Sequence, residues 1–246
     1  MLQAHEIVKI WEIAISKPFW EKAVLMLSPL YPSEPLNSLA SLSLGERNAK
    51  LFRFREKLFG TIMNANSACP QCQEGVEFQL DTTVICNSTI IHSAQKEFEL
   101  KIDETVLKFR LVNSYDLRDI ATIIEFEGPE SAEYELIQKC ILSFETHGVL
   151  QPTQSLPDQY IPQVAESLKN NDPHSEIICR LNCPECSHSW PEAFDIVKFL
   201  WHEIETKAQV ILTEVQLLAK VFGWWEGDIL SLSDVRRKYY LDSLNE

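Results

Sequence analysis

The sequence predicts an α+β chain that is mainly helical, with a split four-cysteine ribbon, an α+β insertion and a long C-terminal helix. Two Cys-Pro-x-Cys motifs, Cys69–Cys72 and Cys183–Cys186, stand with 110 residues (73–182) between them. A segment next to each motif has strand-like sequence. Apolar residues recur at helical spacing over 195–222. These three observations divide the chain into segments arranged around the two motifs.

Residues 1–68 are predicted to form an N-terminal helical segment. Two groups of apolar residues have the spacing of a helix face: Ile7, Ile10, Trp11 and Ala14, then Trp20, Val24 and Leu27. The stretch 28–41 contains three prolines and indicates a loop. Ser43 precedes Glu46 by three positions, which is the spacing of a capping box, so another helix is expected to begin there and to end at Gly60.

The two halves of the ribbon are predicted at residues 69–86 and 177–194, with the α+β insertion between them at 87–176. Alternation over 76–81 predicts a strand after the first motif, and 177–181 can supply one before the second. In the insertion, a hairpin is expected to turn at Asp103-Glu104. Helices are expected near 117–125, 132–144 and 160–169.

Residues 195–246 are predicted to hold the longest helix and a C-terminal helical tail. One broad stripe of the helix is apolar: Val197, Leu200, Trp201, Ile204, Ala208, Ile211, Leu212, Val215, Leu218 and Ala219. At a rise of 1.5 Å per residue, the helix over Asp195–Phe222 would be about 40 Å long. Further apolar residues lie elsewhere around its circumference, so it is either central to its own fold or covered by a partner. Gly223 should end it, and Ser233 should begin a last helix.

Composition and charge restrict the function classes. A formal net charge of −14, from 36 acidic and 22 basic residues, repels nucleic acid and anionic membranes. No run of apolar residues is long enough for a spanning helix, and no secretion signal is recognisable. Seven cysteines are an odd number. A reduced, cytoplasmic protein is therefore expected rather than one stabilised by disulfides.

The cysteine motifs predict a structural zinc site with Cys69, Cys72, Cys183 and Cys186 as its ligands. A Cys-x-x-Cys turn presents two sulfurs at a suitable separation, and two such turns complete a tetrahedron. Four protein ligands leave no position for a substrate, which argues for a structural role; whether the ion is zinc or iron stays open. Gln73 and Ser187, rather than glycine, follow the second cysteine of each motif, so slight strain is expected in each turn.

Other interpretations of these residues are weaker. The motifs could be redox dithiols or ordinary buried cysteines, and His188 is expected at the surface or beside the ligands. Cys179 is interpreted as a small apolar strand residue. His174-Ser175-Glu176 has the His-x-Glu pattern of zinc nucleobase deaminases. Asn182 rather than proline precedes Cys183, however, and the gap is too short for the intervening strand and helix.

Two basic stretches interrupt the acidic chain. Arg47, Lys50, Arg53 and Lys57 recur along one predicted helix, and Arg236-Arg237-Lys238 lies near the C-terminus. A solvated helix face is the favoured interpretation of the first stretch. An acidic protein partner and an internal contact are its alternatives, and the second stretch invites the same interpretations.

Several blocks together resemble the baseplate hub assembly chaperone family of T-even-type contractile phages, which has relatives among phage-tail-like injection systems. The resemblance spans nearly the whole chain. One departure is Cys186-Ser187-His188, where the family usually has Cys-Gly-His. The blocks are Leu44–Arg47 and Arg55–Gly60, Cys69–Cys72, Phe109–Leu111 with Asp116-Leu117, Cys183–Trp190, Phe194–Ile196 and Phe199–Ile204, Gly223–Leu230, and Arg236–Leu241.

The resemblance implies a non-enzymatic protein that helps to assemble a contractile-tail baseplate by binding baseplate or hub proteins. Without an ATP-binding motif, any chaperone activity would be stoichiometric. The partner is expected to contact apolar surface on the long helix or around Trp224-Trp225. The predicted partner-binding residues are Trp201, Trp224, Trp225, Arg236, Arg237 and Tyr240.

Two alternative functions belong to other classes. A zinc-ribbon nucleic-acid or transcription module would need basic and aromatic residues near the metal, whereas Glu74, Glu77, Glu185 and Glu192 flank the motifs. A zinc hydrolase or deaminase would need an open coordination position. Assembly by protein binding is therefore the preferred interpretation.

Overall fold

A computed structural model describes residues 3–87, 97–153 and 156–244. The helices assigned within these ranges are α1 (Ala4–Ala14), α2 (Phe19–Leu27), α3 (Leu36–Ala40), α4 (Leu44–Phe59), α5 (Thr82–Asn87), α6 (Ser114–Glu127), α7 (Pro129–Cys140), α8 (Ile161–Asn171), α9 (Ile196–Phe222), α10 (Glu226–Ser231) and α11 (Asp234–Asp242). The strands are β1 (Ile62–Ala68), β2 (Gly75–Asp81), β3 (Phe98–Ile102), β4 (Thr105–Phe109), β5 (Ile141–Thr146), β6 (Val149–Gln151), β7 (Ile177–Asn182) and β8 (Ser189–Phe194).

The strands form small antiparallel sheets, which confirms the α+β class. β1 pairs with β2, and β7 with β8, as separate two-stranded hairpins, while β3-β4-β5-β6 form a four-stranded sheet in sequence order. The expected hairpin turn at Asp103-Glu104 is present between β3 and β4. The helix expected over 132–144 is wrong at its end, because α7 stops at Cys140 and β5 begins at Ile141. Pairing of β5 with β4 buries Ile141 and Phe144 against the sheet's core, and this tertiary pairing overrides local helical spacing.

Helix α9 is central to the larger core. Its apolar stripe packs against α1, α2, α4 and α10, and Leu200, Ile204, Ala208 and Ile211 are fully buried. The predicted ends are confirmed: the Asp195 carboxylate accepts from the backbone N–H of Val197, and Gly223 ends the helix at φ 68°. The loop expected over 28–41 is only partly correct, because it contains α3. No helix among the described residues is both long and apolar enough to cross a bilayer.

A second core lies in the insertion. One face of the β3–β6 sheet packs with α7 and α8, and its central side chains are Leu107, Phe109, Cys140 and Val164. These four residues are fully buried. The insertion therefore has apolar packing of its own, and polar contacts connect it to α4.

One set of these contacts involves the residues that follow α8. Asp172 Oδ2 accepts from the backbone N–H of Gly45 at 2.9 Å, and Asp172 Oδ1 accepts from Ser43 Oγ at 3.0 Å. Asn48 Nδ2 donates to the backbone oxygen of His174 at 3.0 Å. A Cβ at position 45 would lie 2.0 Å from Asp172 Oδ1, so only glycine allows this close approach. We call the contacts of Ser43, Gly45 and Asn48 with residues 172–174 the α4 junction.

The residues at and just before the start of α6 contact the same end of α4. The backbone N–H of Leu44 donates to the Val112 oxygen at 2.9 Å, and Arg47 Nη1 donates to Ser114 Oγ at 3.1 Å. Arg47 is 4% exposed, and burial lowers its pKa to about 10. The solvated-face interpretation is therefore wrong for Arg47, which makes the internal contact instead.

Candidate metal centre

The two cysteine motifs occupy the turns of two hairpins with the same backbone arrangement. In the β1–β2 turn, the N–H of Cys69 donates to the Glu74 oxygen, and the N–H of Gln73 donates to the Cys69 oxygen, both at 2.8 Å. These bonds fold the motif back on itself, so both of its sulfurs face the same side.

The β7–β8 turn repeats this pattern 114 positions later (183 minus 69). The N–H of Cys183 donates to the His188 oxygen at 2.8 Å, and that of Ser187 to the Cys183 oxygen at 3.1 Å. The residue after the second cysteine has positive φ in both turns, 64° at Gln73 and 58° at Ser187. Glycine favours this region, so the strain expected at these positions is confirmed.

The four sulfurs converge. Cys69 Sγ lies 3.7 Å from Cys186 Sγ, and Cys72 Sγ lies 3.5 Å from Cys183 Sγ. All four ligand atoms lie within 4.8 Å of one another. Bonds of about 2.3 Å to a tetrahedral zinc place sulfurs about 3.8 Å apart, so the spacing and the donor type are compatible with a metal site.

The centre is covered on one side only. Cys69 and Cys183 are 0% and 3% exposed, whereas Cys72 lies at the surface. Val76, Leu181 and Trp190 form a small apolar cluster under the sulfurs. This cluster is too small to stabilise two isolated hairpins by itself, because two-stranded sheets are marginal in water.

Glu192 connects the two hairpins through hydrogen bonds. Its Oε2 accepts from Ser67 Oγ of β1 at 2.8 Å and from Trp190 Nε1 at 3.0 Å. In the sequence, Glu192 is recognisable only as one of the acidic residues that flank the motifs. The ribbon half predicted at 177–194 contains Glu192, but no pattern in it shows that a strand 125 residues earlier supplies the partner.

The thiols affect one another's ionisation. For Cys69, burial opposes ionisation, but backbone N–H groups of Cys72 and Gln71 lower the pKa to about 7. For Cys72, the Glu74 backbone favours the thiolate, but burial and the thiols of Cys183 and Cys186 raise the pKa to about 12. Four thiolates cannot be held together at neutral pH without a cation to compensate their charge.

The other residues with ligand chemistry lie outside the four-sulfur cluster. The His188 ring stacks on Trp190, with ring centroids 6.1 Å apart. Cys179 packs beside the apolar cluster. His174 Nε2 lies 3.0 Å from the Ile85 oxygen, and His174 is part of the α4 junction. The only group of metal-ligating side chains found among the described residues is therefore the four cysteines.

The predicted partner-binding residues do not form one exposed surface. Trp201 is 5% exposed, and the centroid of its ring lies 3.9 Å from Lys22 Nζ. Arg237 is 1% exposed and pairs with Glu214 and Asp234. Both side chains therefore make contacts within the chain, and their role in partner binding stays a prediction.

The remaining four residues follow α9 in the chain: Trp224 and Trp225 directly after it, and Arg236 and Tyr240 on α11. Trp224 stacks on Phe222 and meets Tyr240 edge-on, with ring centroids 4.8 Å apart in each pair. Trp225 is 83% exposed, and Arg236 is exposed on α11. Further exposed apolar residues of α9 and α11 are Val221, Val235 and Tyr239. We call the exposed residues Val221, Trp225, Val235, Arg236 and Tyr239 the C-terminal surface.

The fold and the site define a helical α+β protein in which two sequence-distant cysteine hairpins form one candidate metal centre. Comparison with protein families gives its particular family. The family model described as T4 bacteriophage base plate protein matches residues 31–201, and the chain belongs to that family. Comparisons with curated proteins and with solved structures found no match.

Proposed function

We propose that this chain is a non-enzymatic assembly chaperone or structural accessory protein of the baseplate hub in a contractile tail or related injection system. The family match over residues 31–201 is the observation that carries the proposal. The more specific assignment to hub assembly is supported by the sequence blocks around the cysteines, which continue to Leu241. Binding of other baseplate proteins is the expected activity.

In this proposal the four cysteines hold a structural Zn²⁺, which supplies charge compensation and a rigid cross-link. Each hairpin provides two of the ligands, and the Ser67–Glu192 contact fixes the hairpins beside them. With all four positions filled by protein sulfur, the ion has no open position for a substrate. The centre then acts on function indirectly, because it holds together two hairpins, one of which follows α4 while the other leads into α9.

The C-terminal surface is the proposed contact for a baseplate partner. Trp225, Val235 and Tyr239 are 83%, 80% and 71% exposed, which is unusual for large apolar side chains so close together in sequence. Exposed aromatic residues supply much of the binding energy at protein interfaces. Arg237 and Trp224, which are packed beneath or beside this surface, would keep α11 in place against α9.

Deletion of the gene with electron microscopy of the particles tests the proposed function. We expect particles with missing or malformed baseplates, and we expect the tagged protein to co-purify with hub or baseplate subunits. The double variant Trp225→Ala/Tyr239→Ala should lose these subunits, whereas Val84→Ala, at a residue 72% exposed on α5, should retain them. Normal particles from the deletion strain would refute the proposal.

A nucleic-acid function is not favoured. The family is that of a baseplate protein, and the two cysteine hairpins carry Glu74, Glu77, Glu185 and Glu192, whose charges repel phosphates. A salt-sensitive gel shift with the purified protein would reopen this alternative.

A further inference from the structure

An open cleft on α4 has a basic and partly aromatic lining. Its walls contain Lys50, Arg53 and Lys57, the ring of Tyr31 and the side chain of Leu30, and Glu56 is its single acidic residue. Lys50 Nζ lies 4.0 Å from the centroid of the Tyr31 ring. The three cations form no ion pair with any carboxylate that the structure describes, although acidic residues outnumber basic ones in the chain. The cleft therefore has positive charge that no described carboxylate pairs with, next to apolar surface.

The tip of the α6–α7 hairpin carries the opposite charge to the cleft and an exposed aromatic side chain. Phe126 is 81% exposed at the end of α6, and Gly128, at φ 91°, turns the chain into α7. The exposed carboxylates around it are Glu125, Glu127, Glu130 and Glu133. None of these four has an ion-pair partner within the described part of the chain. The tip therefore combines an exposed aromatic ring with several exposed carboxylates that have no ion-pair partner among the described residues.

We propose that the α6–α7 tip of one copy of this chain docks into the α4 cleft of a second copy. The two surfaces are complementary in both respects, because the tip offers an aromatic ring and carboxylates where the cleft offers apolar walls and cations. They do not meet within one chain, since residues of α4 and of the 28–31 turn alone line the cleft. Because the tip does not reach the cleft of its own chain, Phe126 stays exposed in the single chain.

The contact is heterologous, since the tip and the cleft are different surfaces of the same protomer. Such an interface leaves one tip and one cleft free in every dimer, so assembly continues into a ring or an open chain of subunits. The inference is independent of the proposed function, because it concerns association of this chain with itself. It uses neither the C-terminal surface nor the cysteine centre.

Sedimentation velocity of the purified, metal-replete chain tests the proposal over a range of protein and salt concentrations. We expect mass to increase with protein concentration and to fall with added salt, because screening weakens the charge contacts. Phe126→Ala, Lys57→Glu and Glu130→Lys should each weaken association by roughly tenfold or more. Lys220→Glu, the same charge change on α9, and Val84→Ala are the matched controls and should associate as the wild type does.

Mixing the two charge variants gives the sharpest test. Lys57→Glu has a defective cleft but an intact tip, and Glu130→Lys has the reverse. At a concentration near the wild-type dissociation constant each alone should be mainly monomeric, whereas a 1:1 mixture should form a dimer that cannot grow further. A wild-type chain that remains monomeric at about 100 µM, a concentration at which weak specific contacts form, would overturn the proposal. Association of the Phe126→Ala variant as strong as that of the wild type would overturn it as well.

Discussion

Two regions of this protein bring distant residues together by different chemistry. At the candidate metal centre, Cys72 and Cys183 approach across 111 positions through identical local motifs. At the α4 junction, Gly45 and Asp172 approach across 127 positions through one carboxylate, one backbone N–H and the space left by a missing Cβ. The first region is recognisable in the sequence, and the second is not.

This difference shows what makes a long-range contact predictable from the sequence. Each cysteine motif supplies half of a ligand set within four residues, and the other half has the same form. A glycine and an aspartate have no such signature, because each occurs in many loops and caps. Both regions nevertheless border the same hairpin, since the α4 junction precedes β7 and the cysteine turn follows it.

Removal of one cysteine should have the largest effect. Cys72→Ser breaks the four-sulfur set, so we expect loss of bound metal and a fall in Tm on the order of 10 °C. Metal analysis and thermal unfolding of the same sample measure the two quantities. Cys179→Ser, on β7 of the other hairpin and beside the apolar cluster but outside the set, is the control and should keep a full equivalent of metal. Full metal content in the Cys72→Ser protein would show that the cysteines are not the ligand set.

Gly45→Ala should be next in size and should leave the metal in place. The new Cβ would lie 2.0 Å from Asp172 Oδ1, so the carboxylate must move and give up a buried hydrogen bond. We expect the free energy of unfolding to fall by about 3 kcal/mol in chemical denaturation. Gly227→Ala is the matched control, because a Cβ there has nothing within 4 Å, and it should be neutral or slightly stabilising. Equal effects of the two substitutions would contradict the role of the α4 junction.

The pH dependence of stability should distinguish Asp172 from a surface carboxylate. Burial, which outweighs the hydrogen bonds from Gly45 and Ser43, raises the pKa of Asp172 above its ordinary 3.8. The stability that this residue contributes is therefore present below pH 3.8 and is lost as pH rises through its folded-state pKa. The wild-type advantage over Asp172→Asn should shrink across that window in unfolding measurements.

Asp119 provides a control of opposite sign. The hydrogen bond from Arg118, with help from Lys139, lowers its pKa below the ordinary value. Its contribution is present above the unfolded-state pKa and is lost as pH falls through the folded-state pKa. The wild-type advantage over Asp119→Asn should therefore shrink towards low pH, and parallel pH profiles for the two variants would contradict the assignment for Asp172.

The smallest expected effect concerns the strained turns. Gln73→Gly should stabilise the protein by up to about 1 kcal/mol, because φ is 64° there and glycine adopts positive φ without strain. Gln71→Gly, the same substitution two residues earlier, should instead destabilise by about 0.5–1 kcal/mol through chain entropy. Denaturant midpoints of the two variants measure the difference, and a shift in the same direction for both would rule out strain at Gln73.

Sequence and structure agree best where the information is local. Periodicity located α9, and the Asp195 and Gly223 ends follow from capping chemistry that needs only neighbouring residues. It failed over 141–144, where pairing with β4 decides between helix and strand. The solvated-face interpretation failed at Arg47, because the burial of this side chain depends on Ser114 and the rest of a segment more than 60 residues later.

By itself, the sequence determined the mainly helical α+β class, the long helix and the four cysteines as one group, because each depends on short-range spacing or on a repeated motif. Only the tertiary structure decided that Asp172 contacts Gly45, that Glu192 connects two hairpins, and that Trp201 and Arg237 are buried while Trp225 is exposed. The physical reason is that burial and partner choice depend on which distant segments pack together. No local pattern of residues encodes that packing.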